Sequence, residues 1–138
     1  MSCPECDAPT VAVSVPADLR EYAPEGAARA ALCTRCLRTF PADGATADAG
    51  DAGAAADATT FDAVLDAFPE GEAGAALALA LGRLDRLALD REAVVACCAY
   101  AERAGADVYL TLDRLAAAGG VEPHFAVERR KRQLRTFL

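Results

Sequence analysis

Four of the six cysteines form two Cys-x-x-Cys pairs, Cys3 with Cys6 and Cys33 with Cys36, and 26 residues separate the pairs. Two residues between the members of a pair let both sulfurs of a tight turn face one ion about 2.3 Å away. Two such turns complete a tetrahedron of thiolates, a donor set that suits Zn²⁺. The pattern therefore predicts one structural zinc ion bound by Cys3, Cys6, Cys33 and Cys36.

Three other uses of these cysteines stay open at this point. Disulfides are disfavoured because the polar segment from Met1 to Pro9 does not resemble a signal peptide, which predicts a cytoplasmic protein. A redox site needs only one pair, whereas an iron centre can use the same four thiolates. Four thiolates leave no open position on the metal for water or substrate, so we expect a structural site and not a catalytic one.

The composition divides the chain into a ribbon at 1–41, a linker at 42–59 and a helical region at 60–138. The ribbon has alternating apolar residues, and its predicted strands are Thr10–Val15, Ala28–Leu32 and Leu37–Phe40. Residues 42–59 contain only Ala, Asp, Gly and Thr, which predicts a flexible linker. The predicted fold class is small α+β, with an N-terminal zinc ribbon of short antiparallel strands followed by an all-α helical bundle.

About five helices are predicted in the helical region from apolar spacing, N-cap residues and breakers. The first is a short helix at 60–68 that ends before Pro69, and the second runs from Glu72 to Leu89 with an apolar stripe through Leu77, Leu81 and Leu84. The third follows Asp90 and runs to about Ala104, and the fourth follows Asp107. The last helix has Pro123 in its first turn and carries Val127, Leu134 and Leu138 on one stripe. Because much of the apolar content is alanine and tryptophan is absent, we expect a thin core. Charged residues interrupt the most apolar stretch, so no membrane span is predicted.

The charge balance is acidic, with 21 acidic and 14 basic side chains and a net charge of −7. Lys131 is the only lysine. Such an acidic, lysine-poor and alanine-rich composition resembles that of halophilic archaeal proteins, which stay soluble in concentrated salt through their carboxylates. A GC-rich genome is the alternative explanation.

The Cys-Pro-Glu-Cys turn at residues 3–6 is similar to the CPxCG turn of small zinc-finger proteins, and the whole chain resembles an uncharacterised haloarchaeal zinc-ribbon family. Further shared features are the Phe61–Pro69 segment, an Ala/Leu-rich helix and the Glu128-Arg129-Arg130 sequence. The resemblance implies zinc and a ribbon but no activity. Asp7 replaces the usual glycine after the first pair, where positive φ is often required.

No residue pattern indicates an enzyme or a small-molecule substrate. Cys97 and Cys98 are adjacent in a predicted helix, where neighbours point about 100° apart, so we interpret them as buried small side chains. His124 is the only histidine, which leaves a catalytic triad or a histidine-based metal site without support.

The last ten residues carry five basic side chains and no acidic one, namely Arg129, Arg130, Lys131, Arg132 and Arg135. The other 128 residues carry nine basic and 21 acidic side chains, a net charge of −12. Nucleic acid is a possible partner for this basic helix, together with Arg35 and Arg38. However, five phosphate contacts would lose roughly 10⁶-fold in affinity between about 0.1 and 2 M salt. A solvated helix face is the simpler interpretation.

We therefore predict a non-enzymatic zinc-ribbon protein that acts as a protein-interaction or regulatory module, by binding another protein or by self-association. A nucleic-acid-associated ribbon that uses the basic helix is the alternative. Removing the metal should unfold residues 1–41 and leave the helical region folded.

Overall fold

The computed structural model of the protein describes residues 2–42, 61, 64–65 and 67–137. The strands are β1 (Thr10–Ser14), β2 (Arg29–Cys33) and β3 (Thr39–Pro41), and the α-helices are α1 (Gly71–Leu81), α2 (Arg91–Arg103), α3 (Val108–Ala117) and α4 (Val127–Arg135). This order confirms the small α+β class. Of the predicted linker at 42–59, all residues after Ala42 lie outside the described part of the chain.

The three strands form one antiparallel sheet in the order β1-β2-β3. Val13 is opposite Ala30, and Ala31 is opposite Phe40. The valine alternation is confirmed, because Val13 and Val15 are buried and Val11 packs against the core from a partly buried position. β3 begins at Thr39 and not at Leu37, since Leu37 has a φ of 64° and a strand requires negative φ.

Helix α1 lies at the centre of the fold, and all of its residues from Ala73 to Leu81 are buried. It contacts β1 and β3 of the sheet and also helix α2. The sequence predicted a single apolar stripe, but a helix that is apolar all round is a buried helix. Alanines between the leucines give α1 small side chains on the faces that its neighbours cover.

Helix α1 ends at Leu81, eight residues before the predicted end at Leu89. The next residue, Gly82, lies so close to β3 that a Cβ atom there would be 1.9 Å from Thr39 Oγ1. Arg83 then donates to the backbone oxygen of Tyr22 from Nε at 3.0 Å and from Nη2 at 2.7 Å. A short 3₁₀ turn, Leu84–Arg86, leads to the exposed Leu89. The apolar spacing continues past Leu81, but these long-range contacts end the helix.

The predicted N-caps of α2 and α3 have different outcomes. Asp107 caps α3 as predicted, because its Oδ1 accepts from Leu110 N at 3.0 Å. Asp90 occupies the N-cap position of α2 but makes no side-chain cap. Its carboxylate instead pairs with Arg83 at 3.2 Å and Arg86 at 3.8 Å, so tertiary ion pairs replace the local hydrogen bond.

The first and last predicted helices also differ from the structure. The predicted helix at 60–68 falls partly outside the described residues. Among those described, the oxygen of Phe61 accepts from Val64 N at 2.9 Å, which is the hydrogen bond of a turn. The last helix begins at Val127, so Pro123 lies before α4 and not in its first turn. The residues on both sides of Pro123 bind the ribbon through their backbone, which holds this segment out of the helix.

A single cluster of buried side chains joins the sheet to the helices. The ribbon supplies Val13, Leu32 and Leu37, and the helical region supplies residues such as Leu77, Leu84, Leu112, Leu115 and Leu134. The ribbon is therefore docked on the helices, which the sequence left open. Among the described residues, no helix is long and apolar enough to span a membrane.

The contact between Gly82 and Thr39 provides a test of this docking. We expect Gly82→Ala to lower the free energy of unfolding by about 1–3 kcal/mol, because the added methyl group overpacks the helix–sheet junction. Gly119→Ala is the control, since a Cβ there would meet nothing within 4 Å, and its effect should stay within about 0.5 kcal/mol. Urea unfolding measures both. Equal stability of the two variants would contradict the close packing.

Candidate metal site

The two cysteine pairs meet beside the sheet, and their four Sγ atoms lie within 4.8 Å of one another. Sγ of Cys3 is 3.7 Å from that of Cys36, and Sγ of Cys6 is 3.4 Å from that of Cys33. A tetrahedron with metal–sulfur bonds of about 2.3 Å has edges of about 3.8 Å, whereas a disulfide has a bond of about 2.05 Å. The four cysteines are free thiols placed to bind one metal ion.

The two turns, which we call knuckle 1 (Cys3–Asp7) and knuckle 2 (Cys33–Leu37), have matching hydrogen bonds. In knuckle 1 the backbone N–H of Glu5 donates to Cys3 Sγ, and in knuckle 2 the backbone N–H of Arg35 donates to Cys33 Sγ, both at 3.3 Å. Cys36 N donates to Cys33 Sγ at the same distance. N–H donors aimed at sulfur favour the thiolate, which is the form that binds metal.

Each knuckle closes with a residue in the left-handed backbone region. Asp7 has a φ of 66° and Leu37 a φ of 64°. The positive φ expected after the first pair is therefore present. Leu37 is a less expected residue there, because a left-handed conformation costs a side chain of this type roughly 1–2 kcal/mol. Complete burial of Leu37 in the main core offsets that cost, and nothing in the local sequence indicated this strained position.

Contacts between the knuckles and burial complete the site. Thr34 of knuckle 2 donates from its backbone N, at 3.0 Å, and from Oγ1, at 2.8 Å, to the oxygen of Pro9, just after knuckle 1. Cys3, Cys33 and Cys36 are buried with Ala8 in a small cluster of their own, while Cys6 is partly exposed. The fold itself thus largely shields the sulfurs from water.

Protonation of the sulfurs follows from this environment. Burial raises the pKa of Cys33, but hydrogen bonds from the backbone N–H groups of Cys36 and Arg35 outweigh this effect. The net pKa of Cys33 is about 7, below its ordinary value. Burial raises the pKa of the Cys36 thiol well above its ordinary value. Metal binding must therefore displace protons from the sulfurs at neutral pH.

Knuckle 2 also binds the α3–α4 loop (residues 118–126). Glu122 N donates to the oxygen of Arg35 at 2.7 Å, and His124 N donates to the oxygen of Cys36 at 2.9 Å. The Arg35 side chain lies 4.0 Å from the Glu122 carboxylate, and both are exposed, so this ion pair contributes little stability. Sequence reasoning missed these contacts because backbone hydrogen bonds between distant segments leave no residue pattern.

The other cysteines and the histidine lie outside the sulfur cluster. Cys97 and Cys98 are buried in α2, and burial raises the pKa of each thiol to about 12. The His124 side chain is only 2% exposed, with Nε2 3.0 Å from the oxygen of Leu81 and Nδ1 3.6 Å from the Asp85 carboxylate. Burial lowers the pKa of His124. The burial of Cys97 and Cys98 agrees with their interpretation as buried small side chains.

The five basic residues of α4 do not form one patch, because successive helix positions point about 100° apart. Lys131 is buried and binds the carboxylates of Asp113 and Glu128. Arg130 donates to the oxygen of Asp85 at 2.9 Å, and Arg135 lies over the Tyr109 ring at 5.5 Å. Within the described chain, the exposed Arg129 and Arg132 are the two without such a contact.

The fold and the site together define a small α+β protein whose N-terminal ribbon carries four cysteines placed to bind one metal ion. The chain matches the model of a family described as "Family of unknown function (DUF6276)" over residues 2–138, and it belongs to that family. No curated protein and no solved structure matches the chain.

Replacement of single cysteines tests the metal site. We expect Cys33→Ser to reduce bound metal from one ion per chain to well below one, because three thiolates cannot complete the closed tetrahedron. Cys98→Ala should keep one ion per chain, since its sulfur lies in α2 away from the knuckles. Elemental analysis of gel-filtered protein measures both. Equal metal contents in the two variants would contradict the assignment.

Acidification should release the metal. Protons compete with the ion at every sulfur whose pKa lies above the ambient pH, and below about pH 7 this includes Cys33. We expect the apparent metal affinity to fall by at least about tenfold per pH unit from pH 8 to pH 6. Competition with a chromophoric chelator, with its own pH dependence subtracted, measures the affinity. A flat profile would contradict binding through four thiolates.

Proposed function

We propose that the protein is a non-enzymatic zinc-ribbon protein that binds a second protein in the cytoplasm of a salt-adapted cell. Zinc is the ion that best fits the four sulfurs, because it accepts four thiolates in a tetrahedron without a preference of its own for another geometry. The ion is structural, since four protein ligands leave it no position for a substrate. Elemental analysis distinguishes zinc from iron.

The burial of Cys97, Cys98 and the His124 side chain supports a binding role. The thiols of Cys97 and Cys98 are buried and protonated at neutral pH, which makes them poor nucleophiles. The one histidine is enclosed between Leu81 and Asp85 and does not face an open groove. These are the side chains on which hydrolytic or redox chemistry would most readily depend.

The observation that favours a protein partner is a shallow groove beside α2 with both apolar and charged walls, which we call the α2 groove. It has a volume of about 610 Å³ and is lined by Arg91, Glu92, Val95, Ala96 and Phe137. Phe137 is 37% exposed, and Leu89, two residues before Arg91, is 80% exposed. Apolar anchors with charged residues at the rim are the usual composition of a protein interface.

The salt-adapted composition also favours apolar docking. Screening weakens exposed ion pairs in concentrated salt, because the Debye length is only about 3 Å at 1 M. Apolar burial is not weakened in this way. The alternative of nucleic-acid binding through α4 has less support, because Lys131, Arg130 and Arg135 are engaged within the chain.

Two charge-changing variants separate these functions. We expect Leu89→Glu to reduce partner recovery at least about tenfold in pull-downs at native salt, because it places a charge beside an apolar interface. Arg132→Glu should leave recovery unchanged. Both side chains are exposed, so both variants should keep the wild-type fold and metal content.

The reverse result, in which Arg132→Glu abolishes recovery of nucleic acid and Leu89→Glu has no effect, would support the basic-helix alternative and refute the groove. A monomeric protein that recovers no stoichiometric partner at native salt would refute both.

A further inference from the structure

We propose that metal binding at the knuckles controls the folding of helix α4, and thereby the α2 groove, through the α3–α4 loop. This inference rests on the proposed metal site. The bound ion would stabilise residues of α4 that lie far from the sulfurs in sequence, and partner binding at the α2 groove would therefore depend on metal.

The first link is the pair of backbone hydrogen bonds between knuckle 2 and the loop. The two accepting oxygens belong to Arg35 and to the metal ligand Cys36, and the donors are Glu122 and His124. Both bonds require the conformation that knuckle 2 adopts when its two sulfurs face the other pair. A knuckle that opens therefore releases the loop.

The second link runs from the loop to the central helix. The His124 ring binds the oxygen of Leu81, the last residue of α1, where helix carbonyls lack partners within the helix. The next residue, Phe125, is buried in the main core, and its ring lies edge-on to the His124 ring at 5.0 Å. The loop thus contacts the knuckle with its backbone and the core with its side chains.

The third link is Leu37, which directly follows Cys36 and is fully buried in the main core. Its left-handed backbone conformation closes knuckle 2. Apart from Leu37, the knuckles bury only the small cluster of cysteines and Ala8, with Phe40 partly buried beside it, and this small apolar surface contributes little to holding the two turns in place. The metal must supply that stabilisation, and its loss removes Leu37 from the core.

Helix α4 is the element that depends most on the loop. It follows the loop directly, and it contacts α3 as its main helical neighbour. Phe137, just beyond its end, forms one wall of the α2 groove and stacks against Arg91 at 5.1 Å. Displacement of α4 would therefore dismantle the groove.

This coupling replaces the expectation that metal removal unfolds residues 1–41 alone. Thiol labelling separates the two cases, because Cys97 and Cys98 report on the helical core while the other four cysteines report on the knuckles. The full chain is treated with N-ethylmaleimide at native salt, with and without prior removal of metal by a chelator, and intact mass counts the labels.

We expect all six cysteines to be protected with metal bound and all six to react after chelation. Amide hydrogen exchange in 127–135 should accelerate at least about tenfold on chelation. Labelling of only four cysteines, with exchange in α4 unchanged, would overturn the coupling and leave the metal site intact. Rapid labelling of the knuckle cysteines in protein that binds no metal would instead refute the proposed site.

A matched pair of variants tests the route through the loop. Glu122→Pro deletes the N–H that donates to Arg35, whereas Glu122→Ala keeps that N–H and removes only an exposed carboxylate. Both should bind one metal ion per chain. We expect at least about tenfold faster exchange in α4 of the metal-loaded Pro variant and wild-type exchange in the Ala variant. Identical exchange in the two variants would overturn the proposed route.

Discussion

Burial of helix α1 on all sides is the constraint on which the rest of the structure depends. A helix without a polar face needs cover from several elements, and here the sheet and α2 provide it. Gly82, directly after the helix, lets β3 approach closely, since a Cβ atom there would be 1.9 Å from Thr39 Oγ1. Because the sheet must cover α1, the ribbon becomes part of the main core instead of a separate unit.

The metal site extends this arrangement at the edge of the sheet. Cys33 is the last residue of β2, so the strand that covers the core also carries one ligand. Apart from Leu37, the knuckles have almost no apolar interior of their own, and the proposed ion would compensate for it. Knuckle 2 is anchored on both sides, by Leu37 in the core and by the backbone of the α3–α4 loop. One ion can therefore influence residues from both ends of the chain.

The proposed function is recognition and not catalysis. The four knuckle sulfurs face one another at the candidate metal site, and the thiols of Cys97 and Cys98 are buried and protonated. Most basic residues of α4 make contacts within the fold. The described surface also carries a groove whose wall includes the end of α4, and this groove is the proposed binding surface. The knuckles and the proposed binding groove thus lie in different places, and the α3–α4 loop connects them.

The sequence by itself determined the features that depend on local spacing: the two knuckles, the valine alternation of β1, the Asp107 cap and the α+β class. The composition also indicated the acidic, lysine-poor surface. The tertiary structure alone decided the end of α1 at Leu81, the binding of Asp90 to arginines and the burial of Lys131. It also decided the contact between knuckle 2 and the loop. The Asp90 ion pairs join residues close in sequence, but the other features arise from pairs of residues far apart in the chain, which only packing around α1 brings together.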